Sequence, residues 1–163
     1  MLFTEDTIAA LATPLGFGAI SIIRISGQRS IVAVDTIFIG KMKLEKAKSH
    51  TVHYGNIFDS DVLVDDVLVS VFRAPNSYTG EDSVEISTHG NPLISNKILE
   101  LLTKNNIRLA EPGEFTKRAF LNNKMDLSQA EAVSDVISSN TQAALRGARN
   151  QLNGLLSQKV DEY

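Results

Sequence analysis

An α+β fold is what this sequence predicts, on three observations. Residues 19–26, 51–58, 67–72 and 83–88 are β-rich, and the clearest of them alternate apolar with polar side chains, the two-residue period of half-buried strands. Segments with helical spacing lie among these strands. From Ser128 onward the only periodicity is helical. A mixed or antiparallel sheet with packed helices, followed by the first helices of an α-helical part, accounts for all three.

The elements follow in order. Residues 7–12 are apolar and short, ending at Thr13-Pro14. After the loop PLGFG, residues 19–26 form the clearest strand, with Ile20, Ile22 and Arg24 on one face and Ser21, Ile23 and Ile25 on the other. The glycine-rich connection makes these two runs a hairpin, and Gly27 closes the second. Ile31, Val34, Ile37 and Phe38 recur at helical spacing, predicting a helix over about 28–39. The lysine-rich run from Lys41 to Lys48 reads as a solvated connection. Residues 51–58 and 67–72 read as strands separated by acidic turn material around Asp59-Ser60-Asp61 and Asp65-Asp66, with 62–64 extending one of them. Residues 83–88 form a strand between two glycine turns: Val84 and Ile86 face one way, Ser83, Glu85 and Ser87 the other. Asn91 then caps a helix with Pro92 at its first position, and Ile94, Ile98, Leu101 and Leu102 give it an apolar face. Residues 107–110 return as a strand.

At Glu111-Pro112-Gly113 the character changes. Phe115, Ala119 and Phe120 suggest a short helix that stops near Asn122-Asn123. Ser128-Gln129-Ala130-Glu131 matches a capping box, with Asp126 as a rival cap. Ala130, Val133 and Ile137 make one face of the following helix. Leu145, Ala148, Leu152 and Leu155 make a further stripe, with no later helix to cover it. A chain that stops inside a helical region, or a stripe that packs on a second copy, accounts for this.

Composition limits the function classes. The 163 residues are 43% hydrophobic and 21% charged, enough for an ordinary core without staples. With no cysteine, disulfides, zinc–thiolate centres and cysteine nucleophiles are excluded. A net charge of −3 lacks the footprint of a nucleic-acid grip. No apolar run reaches membrane-span length and no basic leader opens the chain, so the expected location is the cytoplasm.

Familiar motifs are missing. There is no G-x-x-x-x-G-K-(S/T) phosphate loop. Gly16-Phe17-Gly18 lacks the third glycine of a dinucleotide fingerprint, Ser21 standing in its place, and no nucleophile elbow surrounds a serine. Glu81, Asp82, Glu85 and His89 form an acid–histidine cluster, but its turn setting reads as ordinary solvated acids with a histidine bonding backbone at a strand end; no metal site is expected. Glu85 is the harder residue, because a carboxylate at a strand centre needs water or paired donors. Arg24 poses the mirror problem on an apolar strand face. Lys124, between two helices, is unremarkable by itself.

Three blocks carry a resemblance: ATPLGFGAISIIRISG, APNSYTGEDSVEISTHG and EPGEFTKRAFLNNKMDLSQAEAV. In length, order and spacing they resemble the signature blocks of the N-terminal part of the tRNA-modification GTPase MnmE (TrmE) family, and with the segments between them they cover nearly the whole chain. One departure is Asn91, where the family commonly has a second glycine after His-Gly. The resemblance implies an α+β, tetrahydrofolate-binding and dimerisation domain over residues 1–122, akin to the N-terminal domain of folate-dependent aminomethyltransferases. It implies the start of a helical domain over 123–163, with the GTPase domain lying outside this sequence, so that this chain should not hydrolyse GTP.

By the same resemblance, Arg24, Glu85 and Lys124 fall on the family's folate-contacting positions, the ligand being a derivative such as 5-formyltetrahydrofolate; no catalytic residue is implied within this chain. The pterin edge presents adjacent N–H donors, and a carboxylate at Glu85 can accept both. Full-length members use GTP with Mg2+ and K+. They form homodimers and join MnmG (GidA), an FAD protein, in a heterotetramer that builds 5-carboxymethylaminomethyluridine at the wobble position of tRNA. Two other readings stay open: a stand-alone aminomethyltransferase-like domain, and a pure dimerisation module.

Overall fold

The computed structural model describes residues 6–154. Its contacts divide the chain into two compact units, the first ending at Pro112 and the second starting at Gly113. The division falls at the Glu111-Pro112-Gly113 change of character.

The first unit holds a mixed seven-stranded sheet among the described residues. Its strands are β1 (Ile8–Leu11), β2 (Gly18–Ser26), β3 (Phe38–Gly40), β4 (Thr51–Asp59), β5 (Val62–Phe72), β6 (Ser83–Gly90) and β7 (Arg108–Leu109). They lie in the order β3-β4-β5-β6-β2-β1-β7. Every neighbouring pair is antiparallel except β1 with β7. The predicted hairpin is present: Ile8 pairs with Ser26 and Leu11 with Ile23. Helices α1 (Ser30–Asp35) and α2 (Pro92–Lys104) contribute to one apolar core with one face of the sheet. Ile31 and Val34 of α1 and Ile98 and Leu102 of α2 are buried there with Ile23, Ile25, Val69, Val71, Val84 and Ile86. The alternate residues point the other way, and Ile20, Val52, Tyr54 and Leu68 are exposed. One face of the sheet is therefore core and the other is open, as antiparallel sheets allow.

Several expectations change. The helix expected over 28–39 is α1 alone. Thr36 ends it, its hydroxyl donating to Ala33 O at 2.6 Å, and Phe38–Gly40 becomes edge strand β3 against β4. The four apolar positions are buried as predicted, but the β-branched flanks of Phe38 favour an extended backbone once β4 offers a ladder. Asp65 and Asp66 lie within β5 and not in a turn, the register adjusting at an irregularity between Ile57 and Phe58. The lysine run is more than a solvated connection. Leu44 is buried, and both oxygens of Asp35 cap a 3-10 turn at Leu44–Lys46, accepting from Leu44 N at 2.8 Å and Glu45 N at 2.9 Å. Asn91 caps α2 as predicted, its side chain accepting from Leu93 N at 2.9 Å.

The second unit contains α3 (Glu114–Leu121), α4 (Leu127–Ser138) and α5 (Gln142–Leu152). Asp126 wins the competition for the cap. Its carboxylate accepts from Gln129 N at 2.8 Å while the Gln129 side chain accepts from Asp126 N at 2.9 Å, so the box is Asp126–Gln129 and not Ser128–Glu131. The helical stretch after Ser128 is also interrupted: α4 ends at an extended Ser139 and Thr141 caps α5. The stripe on α5 does have a partner. Gln129 donates to Leu152 O at 2.9 Å and Gln151 to Ser128 O at 3.1 Å, tying α5 to α4, and Ala148 is buried. Ile137, placed on one face of α4 with Ala130 and Val133, is exposed, and Leu155 lies outside the described residues. Among the described residues no helix is long and apolar enough to cross a membrane.

Gly90 is where β6 meets the start of β2, paired with Gly18. A Cβ there would lie 2.2 Å from Gly18 O, against backbone that cannot swing aside. Gly90→Ala is expected to destabilise the protein by about 1–3 kcal/mol, read by urea unfolding; an unchanged midpoint would contradict the close approach.

Candidate functional site

Antiparallel pairing of β2 with β6 places Arg24 directly opposite Glu85. Both neighbours of each along its strand, Ile23 and Ile25, Val84 and Ile86, are buried on the core face, so strand alternation obliges Arg24 and Glu85 to project from the open face. There they meet. Arg24 Nε donates to Glu85 Oε1 at 2.9 Å, and Nη2 lies 2.9 Å from the same oxygen. Their side chains are 28% and 26% exposed. The second oxygen, Oε2, has no hydrogen bond among the described residues. Sideways along the sheet stand small residues, Ala10 opposite Arg24 on β1 and Ser70 opposite Glu85 on β5, which leave room above the pair.

An aromatic ring completes this corner. Arg24 Cζ lies 5.0 Å from the centroid of the Tyr78 ring, within cation–π range. Farther along the same sheet face, past Ser87, a shallow cavity of about 280 Å³ is lined by Ile20, Tyr54, Leu68, Ser87 and His89 among others. A carboxylate with one oxygen committed and one available, a guanidinium, an aromatic ring and adjoining apolar surface suit a flat heterocycle with N–H donors on its edge.

The structure thus brings together two of the residues singled out from sequence. The third, Lys124, belongs to the second unit, in the turn after α3; its amide donates to Ala119 O at 2.9 Å, next to left-handed Asn123.

The acid–histidine cluster resolves into separate roles. Glu81 and Asp82 are not simply solvated: Ser26 Oγ donates to Glu81 Oε2 at 2.7 Å and Ala74 N to Asp82 Oδ1 at 2.8 Å. His89 bonds a side chain rather than backbone. Its Nδ1 lies 2.7 Å from Asp65 Oδ1, and its amide donates to Asp65 Oδ2 at 2.8 Å. Asp65 is buried while the imidazole stays largely exposed. The hydrogen bond to this carboxylate, then its charge, raises the His89 pKa above 6.5. Among the described residues no group of three or more His, Cys, Asp or Glu is arranged to hold a metal ion.

Sequence reasoning missed Asp65 and Tyr78. Asp65 was masked by its acidic neighbour, which made the pair look like a turn. The signal for Tyr78 was an aromatic residue inside an otherwise polar loop, APNSYTGED.

Comparison with known proteins agrees with the sequence blocks. The family described as GTP-binding protein TrmE N-terminus matches residues 7–124. A protein of Carboxydothermus hydrogenoformans named tRNA modification GTPase MnmE is 56% identical over 161 residues, covering 96% of this chain and 35% of its own length. Proteins of the same name from Lactococcus lactis subsp. cremoris and Streptococcus mutans are 52% and 50% identical over 156 residues, each match covering 96% of this chain and 34% of the relative. The chain spans about a third of the length of these curated relatives.

The Asp65–His89 pair gives a pH dependence of known sign. Because the folded-state pKa of His89 is raised above its unfolded value of 6.5, the pair's contribution is complete below that value and is lost as pH rises through the folded pKa. Asp65→Asn is expected to bring the His89 titration, followed by NMR, down towards 6.5, and to flatten the decline in stability as pH rises above 6.5. An unmoved titration would contradict the pairing.

Proposed function

From the premise that this chain belongs to the family of the TrmE N-terminus, we propose that it binds a tetrahydrofolate derivative of the 5-formyl type on the open sheet face at Arg24 and Glu85. The carrying observation is the geometry of that pair: a partly buried carboxylate, held from one side by a guanidinium, keeps Oε2 available beside apolar surface.

The residues fit the ligand's chemistry. Glu85 Oε2 accepts from an N–H of the pterin edge in a charge-assisted bond, while Arg24 orients the carboxylate through Oε1. Oε1 already accepts from Arg24 Nε, which leaves Oε2 as the oxygen for the pterin edge in this reading. Lys124 supplies a further donor to the one-carbon oxygen or to the acidic tail. When bound, the folate supplies the carbon unit; the chain's part is to bind, orient and shield it.

The domain carrying this site is assigned to residues 1–122, akin in fold to aminomethyltransferase folate domains, with the helical domain beginning at 123. It acts as a homodimer, and the exposed Ile20, Val52, Tyr54 and Leu68 of the open face support a role in association. The whole protein is proposed to be a cytoplasmic GTPase using GTP, Mg2+ and K+. With the FAD protein MnmG it would form 5-carboxymethylaminomethyluridine at the tRNA wobble position. The names of the relatives support the tRNA-modification GTPase part of this reading.

Glu85→Ala is expected to weaken binding of 5-formyltetrahydrofolate about 10- to 100-fold in a calorimetric titration, the range for losing a hydrogen bond to a charged group. Unfolding should change by less than about 1 kcal/mol, since the Arg24 it leaves behind can reach water. Unchanged affinity would refute the assignment.

A further inference from the structure

The segment from Lys41 to Lys48 carries four lysines against one acid, Glu45, a local charge of +3 in a chain whose net charge is −3. All four lysines are exposed. Among the described residues none of them forms an ion pair, although the chain has 19 acidic residues. Lys43 donates only to a carbonyl, Asp35 O, at 3.1 Å. Lys97 and Lys104 of α2, by contrast, are neutralised by Asp59 and Glu100.

The backbone that carries these charges is fixed. Leu44 and Ala47 are buried, and both oxygens of Asp35 are spent on the amides of Leu44 and Glu45. Arg73, at the end of β5, adds a fifth cation whose bonds all go to carbonyls of this segment. Its Nε donates to Ala47 O at 3.0 Å, and its Nη2 donates to Glu45 O at 2.7 Å and to Leu44 O at 3.4 Å. Positive charge held on an ordered backbone, without carboxylates to answer it, costs little further ordering when a polyanion arrives. Binding a phosphate chain then releases that chain's condensed counterions, which drives association.

The patch suits a nucleic acid better than a lipid surface. With Leu44 and Ala47 turned inward, Met42 is its one exposed apolar side chain, too little to enter a membrane interface. We propose that residues 41–48 dock on the phosphate backbone of the tRNA. This rests on the reading of the whole protein as a tRNA-modification GTPase. Such contacts fix position and orientation and carry no base sequence. The remainder of the chain is more acidic than the whole, so it repels RNA and leaves this patch to set the direction of approach.

The test titrates a fluorescent, unmodified tRNA with the whole protein between about 50 and about 200 mM salt. Replacing three lysines together, Lys41→Gln, Lys46→Gln and Lys48→Gln, is expected to weaken binding about 10- to 100-fold near the middle of that range. The slope of log affinity against log salt should flatten by about 2. The matching Lys→Arg triple stays within about threefold of wild type, and Glu45→Gln binds more tightly. Unfolding temperature should not change, because these three side chains bond nothing in the fold. If the triple loses cooperative unfolding, Lys48→Gln alone carries the comparison, with a slope change of about 1. Unchanged affinity and slope in the Gln variants, or binding to phosphatidylserine vesicles with tRNA left free, overturns the proposal and leaves the tRNA-modification reading intact. That reading falls, and this inference with it, if tRNA from cells lacking the protein keeps its wobble modification.

Discussion

The register of β2 against β6 decides what this chain can do. Ile23 faces Ile86, Ile25 faces Val84, and between them Arg24 faces Glu85. A slip by one residue would send the isoleucines to the open face and drive a guanidinium and a carboxylate into the core, a state no packing gain could offset. The apolar core and the charged pair are therefore two sides of one constraint. The buried residues lock the pairing, and the locked pairing delivers the ion pair to the same place on every molecule. Gly90 guards the far end of the ladder, where a Cβ would run into the Gly18 backbone.

What stands around the pair explains why it can serve a ligand and not only the fold. An ion pair about a quarter exposed contributes little to stability on its own. Its hydrogen bond and its ion-pair contact also both fall on one oxygen, Oε1. Small neighbours, an anchored loop carrying an aromatic ring, and a shallow apolar cavity on the same face all leave the second oxygen approachable. The remaining ionisable groups have more local duties: Asp35 caps a turn, and Asp65 clamps the end of β6 through His89.

Much of the fold was legible in the sequence because its signals are local. Alternation at 19–26 and 83–88, the Asn91-Pro92 start of α2 and the apolar face of that helix all read directly. Phe38 and Asp65 did not. Phe38 keeps the buried position that helical spacing assigned to it, but a strand partner nearly twenty residues away decides its backbone. Asp65 looks like turn material until β6 brings His89 to it. The candidate site was legible only in part for the same reason. Arg24 and Glu85 stood out as charged residues on strand faces, and the family resemblance joined them. Tyr78 carries no periodic signal, because it lies in the irregular connection between β5 and β6.

The proposal at the centre of this account is that Glu85 Oε2 receives the N–H edge of a reduced folate while Arg24 holds Oε1. A crystal structure of the protein grown with 5-formyltetrahydrofolate tests this most directly. The account predicts a ring nitrogen within about 3 Å of Glu85 Oε2, with Arg24 still on Oε1. A folate bound elsewhere, with the Arg24–Glu85 pair untouched, would contradict it.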